Sequence, residues 1–209
     1  MILLVLDKVK YYLCQTNYTE TQIMKIAVFV SGSGTNLQNI IDAVESGYLS
    51  KVEISMVMTD RDCYAIERSL DKDIRTYVLD RKTFSEDAEH NLIDEEIDLI
   101  VLAGFLTILS PEFTAKWGTK MINIHPSLLP KFGGKGMYGA KVHQAVLDAG
   151  EKVSGATVHF VTAGVDEGEI ITQGTFDVEE GDTVSDLQQK VAEVEKSILI
   201  EAIKKLSEN

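Results

Sequence analysis

From Lys25 onward, short β-branched runs alternate with longer stretches of helical period, and this alternation limits the fold more than any other feature. Residues 25–30, 52–58, 75–79, 98–103 and 120–124 read as strands. Helices are expected over 36–46, 65–70, 85–96 and 111–117. The run Asp98-Leu-Ile-Val-Leu-Ala103 is solidly apolar, as parallel strands covered on both faces are. Together these elements predict an α/β fold, a doubly wound and mostly parallel sheet with right-handed crossovers. After a helix over 140–149 the period changes. Residues 155–161 and 170–178 read as a C-terminal antiparallel hairpin around Gly164-Val-Asp-Glu-Gly168. A closing helix over 184–206 carries Val184, Leu187, Val191, Val194, Ile198 and Ala202 on one stripe, with its N-cap at Asp182–Thr183.

The first 23 residues show no such period, so 1–23 is expected to be an N-terminal extension of unknown role and 24–209 one domain. A hydrophobic fraction of 44% over 209 residues suits one well-buried core. Twenty Lys and Arg against 33 Asp and Glu give a net charge of −13, which argues against a nucleic-acid partner. Two cysteines, Cys14 and Cys63, suit neither a disulfide framework nor a four-thiolate zinc site. No apolar run approaches the ~20 residues of a membrane-spanning helix. A cytoplasmic protein with no membrane partner, monomeric or homodimeric, is the expectation.

In doubly wound sheets ligands bind beyond the carboxyl ends of the strands, so the residues following each strand carry the functional signal. Ser31-Gly-Ser-Gly-Thr-Asn36 follows the first strand and opens a helix. Its glycines and free helix amides suit one phosphate, with Ser33, Thr35 and Asn36 as side-chain donors; a tight turn capped by Thr35 or Asn36 is the plainer alternative. Gly104-Phe-Leu-Thr-Ile-Leu-Ser-Pro111 is an apolar loop, either core or the wall of a flat organic ligand. In Asn123-Ile-His-Pro-Ser-Leu-Leu-Pro130, Asn123 and His125 stand two apart on an extended segment and share one side. An amide donor beside an imidazole suits a reaction that builds charge on oxygen and moves a proton. Asp166, at the hairpin tip, is either a turn former or a partner for His125, and spacing does not decide between them. His90, His143 and His159 are scattered and lack metal-ligand spacing. Ser127 lacks a nucleophile elbow. Asp60 and Asp62, with Arg61 between them, read as a solvated loop, and the acidic 86–98 stretch as an exposed helix face.

Taken in order, the Gly32-Ser-Gly-Thr-Asn36 turn, Leu102-Ala-Gly-Phe105, the Asn123–Pro130 element, Gly155-Ala-Thr-Val-His-Phe-Val161 and Val165-Asp-Glu-Gly168 resemble the phosphoribosylglycinamide formyltransferase family, from Met24 to the C-terminus. The resemblance implies transfer of a formyl group from the co-substrate 10-formyltetrahydrofolate to the amine of glycinamide ribonucleotide, without a metal. It implies that Gly32, Ser33, Gly34, Thr35 and Asn36 hold the ribonucleotide phosphate. Gly104 and Pro126 would line its glycinamide end, and Glu195 would help to hold the ribonucleotide. Leu106, Thr107, Ile108 and Leu109 would contact the pterin with Val161, Thr162, Ala163, Gly164 and Val165, largely through backbone. Asn123, His125 and Asp166 would be the catalytic group, Asp166 keeping His125 as imidazolium.

Three positions depart from the family pattern: Thr107 and Glu86 stand where an Arg is frequent, and Glu169 where a Pro is usual. The Phe132–Gly139 stretch reads as a mobile loop over the site. A methionyl-tRNA formylating relative would need a further C-terminal domain and a basic surface, and a formyltetrahydrofolate hydrolase an N-terminal regulatory domain. A non-catalytic phosphosugar-binding module on the same fold is the rival from another class.

Overall fold

The computed structural model describes residues 22–208. Of the expected extension only Gln22 and Ile23 fall within them; residues 1–21, Cys14 included, lie outside the described residues. The chain runs β1 (Met24–Val30), α1 (Thr35–Glu45), β2 (Val52–Thr59), α2 (Ala65–Leu70) and β3 (Thr76–Val78). It continues through α3 (Phe84–Asp94), β4 (Leu99–Leu102), α4 (Pro111–Trp117) and β5 (Met121–His125). The last part is α5 (Ala140–Asp148), β6 (Val153–Phe160), β7 (Ile170–Asp177) and α6 (Val184–Ser207).

One sheet holds all these strands in the order β3-β2-β1-β4-β5-β6-β7. β1 to β5 are parallel; β6 runs antiparallel to β5, and β7 to β6. The strand order reverses between β1 and β4, where a crevice opens beyond the strand ends. In β1, Ile26, Val28 and Val30 join one buried layer with Leu37 and Ile40 of α1 and Leu199 and Ile203 of α6. Ala27 and Phe29 point the other way, into a layer with Phe84, Phe113 and Trp117. The ring of Phe29 stands edge-on to Phe84 at 5.1 Å and lies 5.5 Å from Phe105. Aromatic packing under the sheet thereby anchors the loop that leaves β4.

The helix ends follow their sequences. α6 opens on a capping box, with Thr183 Oγ1 accepting from Asp186 N and Asp186 Oδ2 accepting from Thr183 N. Ser110 caps α4 ahead of Pro111. α1 differs: Gly34 is its N-cap residue at φ 70°, and neither Thr35 nor Asn36 caps it. A Cβ on Gly34 would lie 2.8 Å from that of Ala65, so glycine is required on both conformational and steric grounds.

Phe29→Ala is expected to destabilise the fold by about 3–5 kcal/mol, since it empties the centre of the aromatic layer. Thr183→Ala, which removes only the α6 cap, is expected to cost about 1 kcal/mol. Urea unfolding midpoints separate the two.

Candidate active site

A cleft of about 710 Å³ opens beyond the carboxyl ends of β1, β4 and β5, at the switch in strand order. Its floor comes from β5. Asn123 and His125 project to one side of that strand, and the antiparallel register sets His159 across from Asn123 and Thr157 across from His125. His125 and His159 are both buried. Asp166 reaches them from the β6–β7 connection in a left-handed backbone conformation, φ 60°, which Asp tolerates better than most residues.

The polar contacts among these residues fix which atoms carry protons. His159 Nδ1 donates to the Phe160 carbonyl at 2.8 Å, leaving Nε2 to accept from Asn123 Nδ2 at 3.1 Å. The Asn123 amide is thereby oriented, its Nδ2 also standing 3.5 Å from Asp166 Oδ1. His125 Nε2 donates to the Phe132 carbonyl at 2.9 Å, and Nδ1 faces Asp166 Oδ2 at 3.4 Å. Gly134 N donates to the same Oδ2 at 2.9 Å. Burial, the largest influence, would raise the Asp166 carboxyl; the neighbouring His159 and His125 rings and the Gly134 amide outweigh it and hold the group below the usual carboxylate range.

For His125 the balance is opposite. Burial is the largest influence and lowers its pKa, beyond what the Asp166 charge and the Phe132 carbonyl restore, and the neighbouring His159 ring lowers it further. Burial thus works against the expected standing imidazolium and favours the neutral ring. His143, on α5, is buried and lines the same cleft; burial and the proximity of His125 lower it too.

The remaining sequence-selected residues fall around this cluster. Ser33, Thr35 and Asn36 border one end of the cleft, and Asn36 Nδ2 donates to Glu195 Oε2 at 3.1 Å, joining residues 159 apart. Burial raises the Glu195 carboxyl above its usual range, against the bond from Asn36. Gly32 and Gly34 do not line the cleft; they shape the turn, Gly32 accepting from Ala65 N and Gly34 packing on Ala65. Arg68 Nε, which sequence reading passed over, donates to the Ser33 carbonyl at 2.8 Å. Gly104 and Pro126 also line the cleft, and the Gly104 carbonyl accepts from Ser31 N at the start of the turn.

Leu106, Thr107, Ile108 and Leu109 line the same cleft, as do Val161, Thr162, Ala163, Gly164 and Val165. Leu106 and Ile108 are 47% and 70% exposed, so this part of the loop is wall rather than core, while Leu109 is buried. Thr107 turns its hydroxyl away, onto Asp60. Glu86 sits on the exposed face of α3, and Glu169 contributes its carbonyl to the Phe160 amide.

Four expectations are corrected here. His159 is not scattered but part of the cluster; its alternation with Thr157 was visible, its register against β5 was not. Asp60 is not solvated: it is 4% exposed, with Arg61 on both its oxygens. Burial would raise its carboxyl, yet hydrogen bonds from Arg61, Thr107 and Ser31 lower it to about 2. His143 also belongs to the cleft. The 132–139 stretch is more than a cover, because the Phe132 carbonyl and Gly134 amide hold both members of the His125–Asp166 pair. Ser127 is buried and spends its hydroxyl on the Lys131 carbonyl, in keeping with a structural role.

Among the described residues, no group of three or more His, Cys, Asp or Glu side chains is placed to hold a metal. None of their helices is long and apolar enough to cross a membrane.

A doubly wound sheet that gathers an amide donor, an imidazole and a carboxylate beside a glycine turn and an apolar groove has the form of a group-transfer enzyme. The formyl transferase family model matches residues 24–203, and the chain belongs to that family. It is an enzyme, a formyltransferase; the family draws on a folate-derived formyl donor. The phosphoribosylglycinamide formyltransferase of Haemophilus influenzae is 38% identical over 88% of this chain and 87% of its own length. The human trifunctional purine biosynthetic protein adenosine-3 is also 38% identical over 88% of this chain, a match covering 18% of that longer protein. The crystal structure of glycinamide ribonucleotide transformylase 1 from Symbiobacterium toebii superimposes with a TM-score of 0.82 at 38% identity, covering 89% of this chain and 88% of that one.

The depressed histidines carry a pH signature. Between the ordinary value near 6.5 and the lowered folded values, the unfolded chain binds more protons than the folded one. This part of the stability is complete above about pH 6.5 and lost as pH falls through the lowered range. His143→Leu is expected to flatten the fall in urea midpoint between pH 7 and 5 relative to the parent.

Proposed function

We infer that this enzyme transfers the formyl group of 10-formyltetrahydrofolate to the amine of glycinamide ribonucleotide, a cytoplasmic step of de novo purine biosynthesis. The observation that carries this reading is the meeting of Asn123, His125 and Asp166 between the 32–36 turn and the groove formed by 106–109 and 161–165. The turn takes the ribonucleotide phosphate on its backbone amides and on Ser33, Thr35 and Asn36. The Asn36–Glu195 pair faces the ribosyl part, Gly104 and Pro126 the glycinamide end. The groove takes the flat pterin between apolar side chains and backbone. The names borne by the relatives support the choice of acceptor.

The neutral amine attacks the formyl carbon; a C–N bond forms and the carbonyl electrons move onto oxygen. Asn123, its amide held by His159, donates Nδ2–H to that oxyanion in place of the weak contact with Asp166. His125 begins neutral, as burial favours, and takes the proton that the amine releases. The imidazolium is then met by Asp166 on Nδ1 and by the Phe132 carbonyl on Nε2. Collapse of the intermediate breaks the bond to the folate N10, which receives the proton from His125 directly or through water. Formylated ribonucleotide and tetrahydrofolate leave with atoms and charge balanced.

Asn123→Ala, His125→Ala and Asp166→Ala are each expected to lower kcat by roughly 10²–10³ while thermal unfolding stays cooperative. His159→Leu, which frees the Asn123 amide, is expected to lower kcat by about 10–100-fold without touching a substrate. The assay follows folate absorbance with ribonucleotide or water as acceptor. Near-normal turnover in His125→Ala removes that residue from the chemistry. Formyl loss to water at the same rate without ribonucleotide makes the enzyme a hydrolase instead, and tight ribonucleotide binding without transfer makes it a binding module.

A further inference from the structure

Asp60 follows β2 and lies outside the catalytic cluster, yet it is among the most elaborately satisfied side chains in the molecule. Arg61 donates Nε to Oδ1 at 2.8 Å and Nη2 to Oδ2 at 2.6 Å, and Arg81 Nε stands 3.4 Å from Oδ2. Thr107 Oγ1 donates to Oδ2 at 2.6 Å, and the Ser31 hydroxyl donates to the same carboxylate. Ser31 Oγ in turn accepts from Leu106 N at 2.9 Å. Two consecutive residues of the groove wall therefore hang on one buried carboxylate, Thr107 directly and Leu106 through Ser31.

Phe105 and Leu109 anchor the wall in the core on either side, but the residues between them have less apolar support. Leu106 and Ile108 are 47% and 70% exposed, so apolar packing does not set their height. Buried, charge-assisted hydrogen bonds are strong and directional and suit that task. Ser31 also begins the turn that opens α1 and donates its own N–H to the Gly104 carbonyl at 3.3 Å. The same carboxylate thus ties the groove wall to the phosphate-side turn.

We propose that Asp60 is a positioning residue for the formyl donor: through Thr107 and Ser31 it sets the height and register of the 106–109 wall against the flat bicyclic ring that slides beneath it. This rests on the reading that the wall contacts the donor. A merely structural anchor would lower stability without distinguishing the substrates; a positioning residue raises the KM for the donor selectively.

The test compares Asp60→Asn, Thr107→Val, Thr107→Ser and Ile108→Asp in steady-state kinetics with both substrates varied, alongside melting temperatures. Thr107→Val keeps the experiment decisive if Asp60→Asn folds poorly, because it removes one hydroxyl near the rim. Asp60→Asn and Thr107→Val are expected to raise the donor KM by about tenfold, with the acceptor KM within about twofold of the parent, and Thr107→Ser to restore the donor KM. Ile108→Asp, which puts a charge on the wall itself, raises the donor KM whatever Asp60 does. If Ile108→Asp raises it while Thr107→Val leaves it unchanged, the positioning role is overturned and the donor groove stands. If no variant moves it, the wall is not the donor site and both readings fall.

Discussion

A carboxylate withdrawn from water must be met by donors, and this requirement organises the open end of the sheet. Asp166 is met by the Gly134 amide on Oδ2 and by Asn123 Nδ2 on Oδ1, with the His125 and His159 rings beside it, which draws together the strand β5, the antiparallel β6 and the loop over 132–134. Asp60 is met by Arg61, Thr107 and Ser31, which draws together the ends of β1, β2 and β4. Neither charge would persist alone in its setting. Each fixes segments that are remote in sequence, and between them lies the cleft.

The proton chemistry follows from the same economy. Burial favours the neutral His125 ring, but both of its nitrogens already face acceptors: a carbonyl at Nε2 and a carboxylate at Nδ1. Once the ring gains a proton, both of its N–H groups already have an acceptor to meet the charge. Asn123 is prepared in a comparable way, because the tautomer of His159 is set by the Phe160 carbonyl and sets the Asn123 amide in turn. The catalytic group is thus oriented by backbone carbonyls as much as by side chains.

Elements with a strong period were readable from the residues alone. Strand runs and helix stripes marked β1 through α6, and Asp182–Thr183 marked the start of the last helix. Asn123 and His125 stood out because they share one side of a strand's carboxyl end. His159 did not, because its role depends on the pairing register of β5 with β6, which spacing within either strand does not contain. Asp60 misled for a related reason: its neighbours Arg61 and Asp62 give the local pattern of a solvated loop, whereas its decisive partners, Ser31 and Thr107, are distant in sequence. The Phe132 carbonyl and the Gly134 amide carried no signal, since a backbone group has no residue type.

The antiparallel pairing of Asn123 with His159 has a consequence for how the chain becomes active. A slip of β6 by one position would turn His159 outward and bring a neighbouring apolar side chain inward. Such a molecule would retain most of its helices and still be inert. Recovery of turnover after dilution from denaturant therefore reports on the last long-range zipping of the chain, while ellipticity reports on its earlier collapse, and the interval between the two signals measures how long the sheet searches for its alignment.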